Sequence, residues 1–139
     1  HTPTKVPILN KIRPHSVVCG GQHTIAVANN SVWSMGRNDF GQLGLGHTSP
    51  VDTPQTINFL SYATGAKTTR TVSCGATHTL FILSNGELLG CGRNDCGQLG
   101  LGHMDEAVLR PTWILTEKVS FPFSCVLHVF VRHALCATY

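Results

Sequence analysis

Two histidines, each trailing a cysteine, are the first residues that could do chemistry. His23 follows Cys19 by four positions and His78 follows Cys74 by four, with Cys91 and Cys96 further along. Cysteine and histidine are the ligands of structural zinc, which wants four of them converging, usually with closely spaced cysteine pairs. These two pairs occupy equivalent places in two copies of one motif, so they point the same way instead of meeting. No metal site is expected, and a Cys19–Cys74 disulfide is disfavoured on the same ground. An imidazole that recurs in every unit is expected to pin a corner by bonding backbone groups; contact with a partner is the other role open to His23 and His78. The run Gly41-x-x-Gly44-x-Gly46 is glycine-rich like a phosphate loop but lacks its Gly-Lys-Ser/Thr end, and it is not a dinucleotide fingerprint opening a helix. No Gly-x-Ser-x-Gly elbow occurs, and no paired carboxylates stand out among seven acidic residues. Neither a catalytic constellation nor a cofactor is expected, and the chain does not read as an enzyme.

The elements that hold these residues come from an internal repeat. The twelve residues Gly36 to His47 return as Gly92 to His103 with eleven identities, the exception being Phe40 against Cys96. Upstream, Cys19-Gly20-Gly21-Gln22-His23-Thr24 returns as Cys74-Gly75-Ala76-Thr77-His78-Thr79. The offset changes from 55 to 56 residues at a turn, where Asn29-Asn30 becomes Ser84-Asn85-Gly86. Insertions belong in turns, so the slip supports the alignment. Fixed-period self-similarity of this length marks a repeat architecture.

Each unit reads as strands parted by turns. Thr24–Ala28 and Thr79–Leu83 are short apolar runs that suit a strand buried on both faces. A turn and a second strand follow, Val32–Met35 in one unit and Glu87–Leu89 in the other, which is a hairpin signal. Gly36, Gly41, Gly44 and Gly46 in the first unit are structural repeat positions, and so are Gly92, Gly97, Gly100 and Gly102 in the second. They are expected to hold positive φ or to let backbones approach. Pro54 and Pro111 mark a short outer strand. Convincing helical periodicity is absent. Residues 17–71 form repeat 1 and 72–128 repeat 2. Residues 1–16 are assigned to the end of a preceding repeat, with Pro7-Ile8-Leu9 matching the close at Pro54–Ile57. Residues 129–139 are a degenerate third start, in which His133-Ala134-Leu135 is preserved but Val129-Phe130 replaces the expected Cys-Gly.

Only 12% of the 139 residues are charged, against about 25% in an ordinary globular protein. The net charge of +3 lacks a dense Lys/Arg run, so chromatin binding is not supported by charge. The longest apolar stretch, Cys125–Val131, is interrupted by His128 and too short for a bilayer. Six cysteines and no visible signal peptide suggest a reducing, intracellular setting, nucleus or cytoplasm.

The order Gly-x-x-His-Thr, hairpin, Gly-Arg-Asn-Asp-x-Gly-Gln-Leu-Gly-Leu-Gly, then Pro, resembles the repeat of the regulator of chromosome condensation family over roughly residues 17 to 115. The resemblance implies an all-β fold: a partial β-propeller of about two four-stranded antiparallel blades plus incomplete flanking repeats. A ring of about seven blades needs more, supplied by the rest of a longer chain or by self-association. The resemblance implies a protein-binding scaffold from a larger regulator of a small GTPase or from a ubiquitin-ligase type protein. Two alternatives are a guanine-nucleotide exchange factor for a Ran-like small GTPase and a non-functional truncated product. Arg37, Asp39, Arg93 and Asp95, with His23 and His78, are the candidate partner-binding residues. Light sensing, which the family ties to tryptophans inside Gly-x-x-His-Thr, is not supported, since Gly21-Gln22 and Ala76-Thr77 stand there.

Overall fold

In the computed structural model, residues 2–29, 31–58 and 68–114 are described. Their regular elements are one short helix and eight strands. The helix α1 spans Pro7–Ile12. The strands are β1 (Ser16–Cys19), β2 (His23–Ala28), β3 (Ser31–Gly36), β4 (Val51–Thr56), β5 (Thr69–Cys74), β6 (His78–Leu83), β7 (Leu88–Arg93) and β8 (Ala107–Ile114). They form two four-stranded sheets of order β1-β2-β3-β4 and β5-β6-β7-β8, antiparallel throughout. The sheets are hereafter blade 1 and blade 2.

The internal repeat extends to irregularities. A register shift between Ser34 and Gly36 in blade 1 recurs between Gly90 and Gly92 in blade 2. Gly36 and Gly92 have φ of 112° and 108°, where a side chain is strained. A Cβ on either would also lie 2.5 Å from the carbonyl oxygen of Gln22 or Thr77. The bulge therefore bends the third strand towards the His-bearing corner, and it does so only because glycine stands there.

The other six repeat glycines, Gly41, Gly44, Gly46, Gly97, Gly100 and Gly102, all have positive φ as well. Close approach of backbones, the second role expected of them, is not shared by all. Gly100 and Gly102 have φ of 67° and 79°, yet a Cβ on Gly102 would meet nothing within 4 Å among the described residues. Its counterpart Gly46 would press on the Arg110 guanidinium of the next blade. At Gly102 the left-handed turn already calls for glycine.

Alternation along a strand sends side chains to opposite faces. In β2, Ile25 and Val27 take one face while Thr24, Ala26 and Ala28 take the other, and cross-strand pairs such as Val27–Val32 and Ala26–Trp33 keep the two sets apart. The face of Ile25, Val27, Val32 and Ile57 packs against Val72, Phe81, Leu83, Leu89 and Cys91 of blade 2 in one core cluster. We call the first the trailing face of blade 1 and the second the leading face of blade 2. Leu80, Ile82, Leu88, Leu99 and Ile114 form a second cluster on the trailing face of blade 2. Complete burial of Ile25, Val27, Phe81, Leu83 and Leu89 contributes about 1.5–3 kcal/mol for each side chain. Strands buried on both faces follow directly, and β6 is buried at every residue.

One segment departs from the sequence reading. Pro7-Ile8-Leu9, read as the close of an earlier repeat, lies in α1. Pro7 occupies the start of the helix, where its fixed φ is already helical and its missing N–H is no loss. Arg13 ends it in the left-handed conformation, φ 47°, with its N–H donating to the Leu9 carbonyl. The degenerate repeat from Val129 onward falls outside the described residues.

The loops between the third and fourth strands join the blades. The Gly46 N–H donates to the Leu109 carbonyl at 2.9 Å. A Cβ on Gly41 (φ 77°) would lie 2.6 Å from Leu109 Cα, whereas among the described residues one on its counterpart Gly97 (φ 69°) meets only Met104 Cγ at 3.7 Å. Both turns carry the left-handed strain, and among the described residues only Gly41 abuts a neighbouring blade's backbone. Gly97→Ala is therefore expected to cost about 1–2 kcal/mol and Gly41→Ala more than about 3 kcal/mol. Urea denaturation measures both, and equal losses would contradict the inter-blade role of Gly41.

Candidate protein-binding face

The loop Gly36–His47 and its copy Gly92–His103 owe their shape to their own side chains. Asn38 is fully buried. Its Nδ2 donates to the carbonyls of His47 (2.7 Å) and Ser49 (3.1 Å), and its Oδ1 accepts from the Leu43 N–H (3.0 Å). Asn94 repeats the scheme with the His103 carbonyl and the Leu99 N–H. The side-chain oxygens of Gln42 and Gln98 accept from the N–H groups of residues 40 and 96. Polar side chains thus replace the ladder partners that a glycine-rich segment cannot find in a sheet. Serving backbone in both copies, Asn38 and Asn94 have no spare groups aimed outward.

The flanking charges are the opposite case. The Arg37 Nε bonds Asp39, and its Nη1 donates to Gln22 Oε1 at 2.8 Å. Both side chains of that ion pair are roughly half exposed. Arg93 engages both oxygens of Asp95, and Gln98 Nε2 donates to Asp95 as well. The Arg93 hydrogen bonds hold the Asp95 carboxyl below the usual carboxylate range, and Asp95 in turn raises the pKa of Arg93. The Arg93 guanidinium also lies over the Phe40 ring, 5.2 Å from its centre, a cation–π contact between the two blades' loops. Arg37, Asp39, Arg93 and Asp95 therefore form two preoriented ion pairs at the solvent edge. The sequence did not flag Phe40 or Gln22 as their supports, since Phe40 is the one position in the twelve that the repeat does not keep.

His23 and His78 lie elsewhere. Both are buried, at 3% and 4% exposure. His23 Nε2 is 2.9 Å from Thr79 Oγ1, and Thr79 donates its hydroxyl hydrogen to the Gln42 carbonyl at 2.7 Å. A hydroxyl has one hydrogen, so Thr79 accepts from the ring and His23 carries its proton on Nε2. Its Nδ1 is buried without a hydrogen-bond partner among the described residues. The Cys91 thiol also points at the Gln42 carbonyl, at 3.6 Å. A chain of bonds thus runs from the corner of blade 1 through blade 2 and back to the loop of blade 1. Thr79 was missed as a partner because it belongs to the neighbouring repeat, and spacing within one repeat does not reveal it.

A second proton on His23 would sit on the bare Nδ1, so burial, aided by His78, depresses its pKa to about 4. Burial lowers that of His78 too. An unfolded histidine protonates near pH 6.5, ahead of the folded one, so stability is full above that value and declines as pH falls towards 4. For His23 alone the loss reaches about 3 kcal/mol. His23→Gln, which keeps an N–H donor, is expected to flatten the pH dependence of the melting temperature between pH 6.5 and 4. An unchanged slope would remove His23 as its source.

Comparison with known proteins places this geometry. The regulator of chromosome condensation (RCC1) repeat matches residues 29–82, and a second description of the same repeat matches residues 15–42 and 70–98. Protein RCC2 of Mus musculus is 34% identical over 116 residues, covering 81% of this chain and 22% of that protein. The ultraviolet-B receptor UVR8 of Arabidopsis thaliana is 36% identical over 110 residues, 78% of this chain and 24% of the receptor. The X-linked retinitis pigmentosa GTPase regulator of Homo sapiens is 34% identical over 107 residues, 76% of this chain and 10% of that protein. The chain thus spans a quarter or less of these relatives' length. Among solved structures, human WBSCR16 superposes with a TM-score of 0.67 at 24% identity, over 76% of this chain and 26% of that one. Prp20p of Saccharomyces cerevisiae superposes with a TM-score of 0.63 at 19% identity, over 75% of this chain and 26% of that one. Two tandem blades, the paired His-Thr corners and the twice-used Asn-braced loop have one common source: the chain belongs to the family of RCC1-repeat proteins.

Proposed function

We propose that the chain is a protein-binding module, whose partner contacts the ion pairs Arg37–Asp39 and Arg93–Asp95 on neighbouring loops. The observation that carries this reading is the division of labour in the loop. Asn38, Asn94, Gln42 and Gln98 are buried and used up on backbone, while the Arg and Asp between them stand at the surface. Arginine held in a fixed fork by a carboxylate loses little freedom on binding, so its remaining donors suit a planar acceptor on a partner. His23 acts behind this face by joining the blades through Thr79.

Relatives suggest the partner class. One is named a GTPase regulator, and the structure of Prp20p is described with its binding to Gsp1p and histones. A small GTPase is the partner class we favour, with the chain serving as part of a larger propeller surface. Exchange-factor activity is the second reading: it needs tighter binding to the nucleotide-free GTPase than to the loaded one, and no covalent chemistry. The thiols of Cys19, Cys74, Cys91 and Cys96 are free, which suits a reducing compartment such as the nucleus or cytoplasm. No helix among the described residues is long and apolar enough to cross a membrane.

The test is capture of small GTPases by the immobilised chain and by Arg37→Ala/Asp39→Ala/Arg93→Ala/Asp95→Ala. Binding by the native chain is expected to weaken at least about tenfold in the variant, with little change in melting temperature because exposed pairs contribute little to stability. Equal capture by both would sink the loop assignment. Faster nucleotide release from a captured GTPase would favour the second reading over simple binding.

A further inference from the structure

Of the seven asparagines in the chain, one precedes a glycine: Asn85. It sits in the turn between β6 and β7, where Ser84, Asn85 and Gly86 are all exposed. The Gly86 N–H donates to the Leu83 carbonyl at 3.0 Å, and the Leu83 N–H donates to the Glu87 carbonyl at 2.9 Å. Gly86 is left-handed, with φ 86°. This is a three-residue hairpin loop ending on a glycine that returns the chain to its strand. A Cβ on Gly86 would meet nothing within 4 Å among the described residues. The peptide after Asn85 is thus open to approach by its own side chain.

The side chain makes that approach. Asn85 Oδ1 accepts the Glu87 N–H at 3.2 Å. A carboxamide that reaches its own backbone two residues on curls over the peptide between. The same bond favours a reaction there. When the Gly86 nitrogen adds to Asn85 Cγ, negative charge develops on Oδ1, where the Glu87 N–H already points. One bond opposes the step: the Gly86 N–H is held by Leu83, and its proton must leave before the nitrogen attacks. That bond closes an exposed turn, and such bonds open locally at little cost. Other asparagines lack this combination. Asn38 and Asn94 are fully buried, precede aspartate and have their carboxamides bonded to backbone. The equivalent turn of blade 1 reads Asn29-Asn30-Ser31, without a glycine.

We propose that Asn85-Gly86 is a site of spontaneous deamidation in the folded protein, with water as the co-reactant. The Gly86 nitrogen bonds to Asn85 Cγ, its proton departs with Nδ2 as ammonia, and a five-membered succinimide closes. Water then opens one of the two carbonyl–nitrogen bonds of the ring and restores the N–H. Opening at Cγ leaves aspartate at position 85 with the backbone intact. Opening at the backbone carbonyl leaves isoaspartate, whose chain runs through Cβ and Cγ. Both products lower the net charge of +3 by one. Isoaspartate also inserts one backbone atom between the buried Leu83 and Leu88, which strains the two turn bonds that close the β6–β7 hairpin. The site is separate from the Arg–Asp loops and does not rest on their role.

The test incubates the folded native chain in warm, neutral buffer made with heavy-oxygen water, beside Asn85→Gln and a native sample unfolded in urea. Mass spectrometry follows the peptide around each asparagine. Isoaspartate is counted by methyl transfer from S-adenosylmethionine with an isoaspartate carboxyl methyltransferase. In the folded native chain Asn85 is expected to exchange its amide for heavy oxygen at least about tenfold faster than any other asparagine. The rate should rise with pH, and the product should accept methyl groups. Asn85→Gln, whose longer side chain would need a six-membered ring, should stay folded by circular dichroism and gain neither label. The isoaspartate form, separated by ion exchange, should melt below Asn85→Asp, which carries the charge without the extra backbone atom. Conversion no faster than at the other asparagines overturns the proposal, as does conversion confined to the unfolded sample or isoaspartate that persists in Asn85→Gln. An isoaspartate form that melts with Asn85→Asp overturns the effect on the hairpin.

Discussion

A four-stranded sheet built from strands such as His78–Leu83 has no solvent side. Every residue of that strand is buried, so the sheet needs cover on both faces, and a second sheet of the same design supplies it on one of them. The contact between Ile25, Val27 and Val32 on one blade and Phe81, Leu83 and Leu89 on the other is the interaction on which the rest depends. With the sheets apart, the shared apolar cluster would be opened to water and His23 would lose its hydroxyl. Antiparallel sheets commonly keep one wet face; here stacking replaces it.

Apart from His23 Nδ1, the polar groups at the joint are fitted into this packing with partners. A glycine-rich loop gives flexibility to the backbone but offers few side chains, and its peptide groups still need partners. Asn38 and Gln42 provide them from within, which frees the loop to lie flat on the neighbouring blade. Gln42 then does double service: its side chain shapes its own loop, and its backbone carbonyl receives the Thr79 hydroxyl and the Cys91 thiol from the next blade. Local shape and inter-blade registration are thus the same few bonds. The outward Arg–Asp pairs ride on that rigid base, which is why their positions are well defined although exposed.

Much of this was legible in the residues. Two long motifs returning in the same order gave the blades, and the double-sided apolar runs gave their central strands, now His23–Ala28 and His78–Leu83. The turn slip between Asn29-Asn30 and Ser84-Asn85-Gly86 located the hairpins. Other features were not legible, for physical reasons. The first strand of each blade, Ser16–Cys19 and Thr69–Cys74, is largely half exposed, so its alternation is weak. The α1 turn has six residues and no buried face, too little for a periodic signal. The His23–Thr79 bond spans 56 residues between repeats, and self-similarity describes what each unit is, not how one meets the next. The repeat could not tell structural from outward polar residues either, because Arg, Asn and Asp recur together; burial separates them.

The Cys91 thiol sits at the centre of the joint, fully buried, and both its surroundings and the neighbouring Cys74 keep it protonated, with Cys74 itself pushed up to about 12. Cys19 and Cys96 lie on the outside. A thiol must be exposed and ionised to be alkylated, so the outer pair should be modified at once and Cys91 only when the blades part. The protein thus contains its own clock for local opening: the rate at which Cys91 is trapped counts separations of the two sheets, with no residue substituted beforehand.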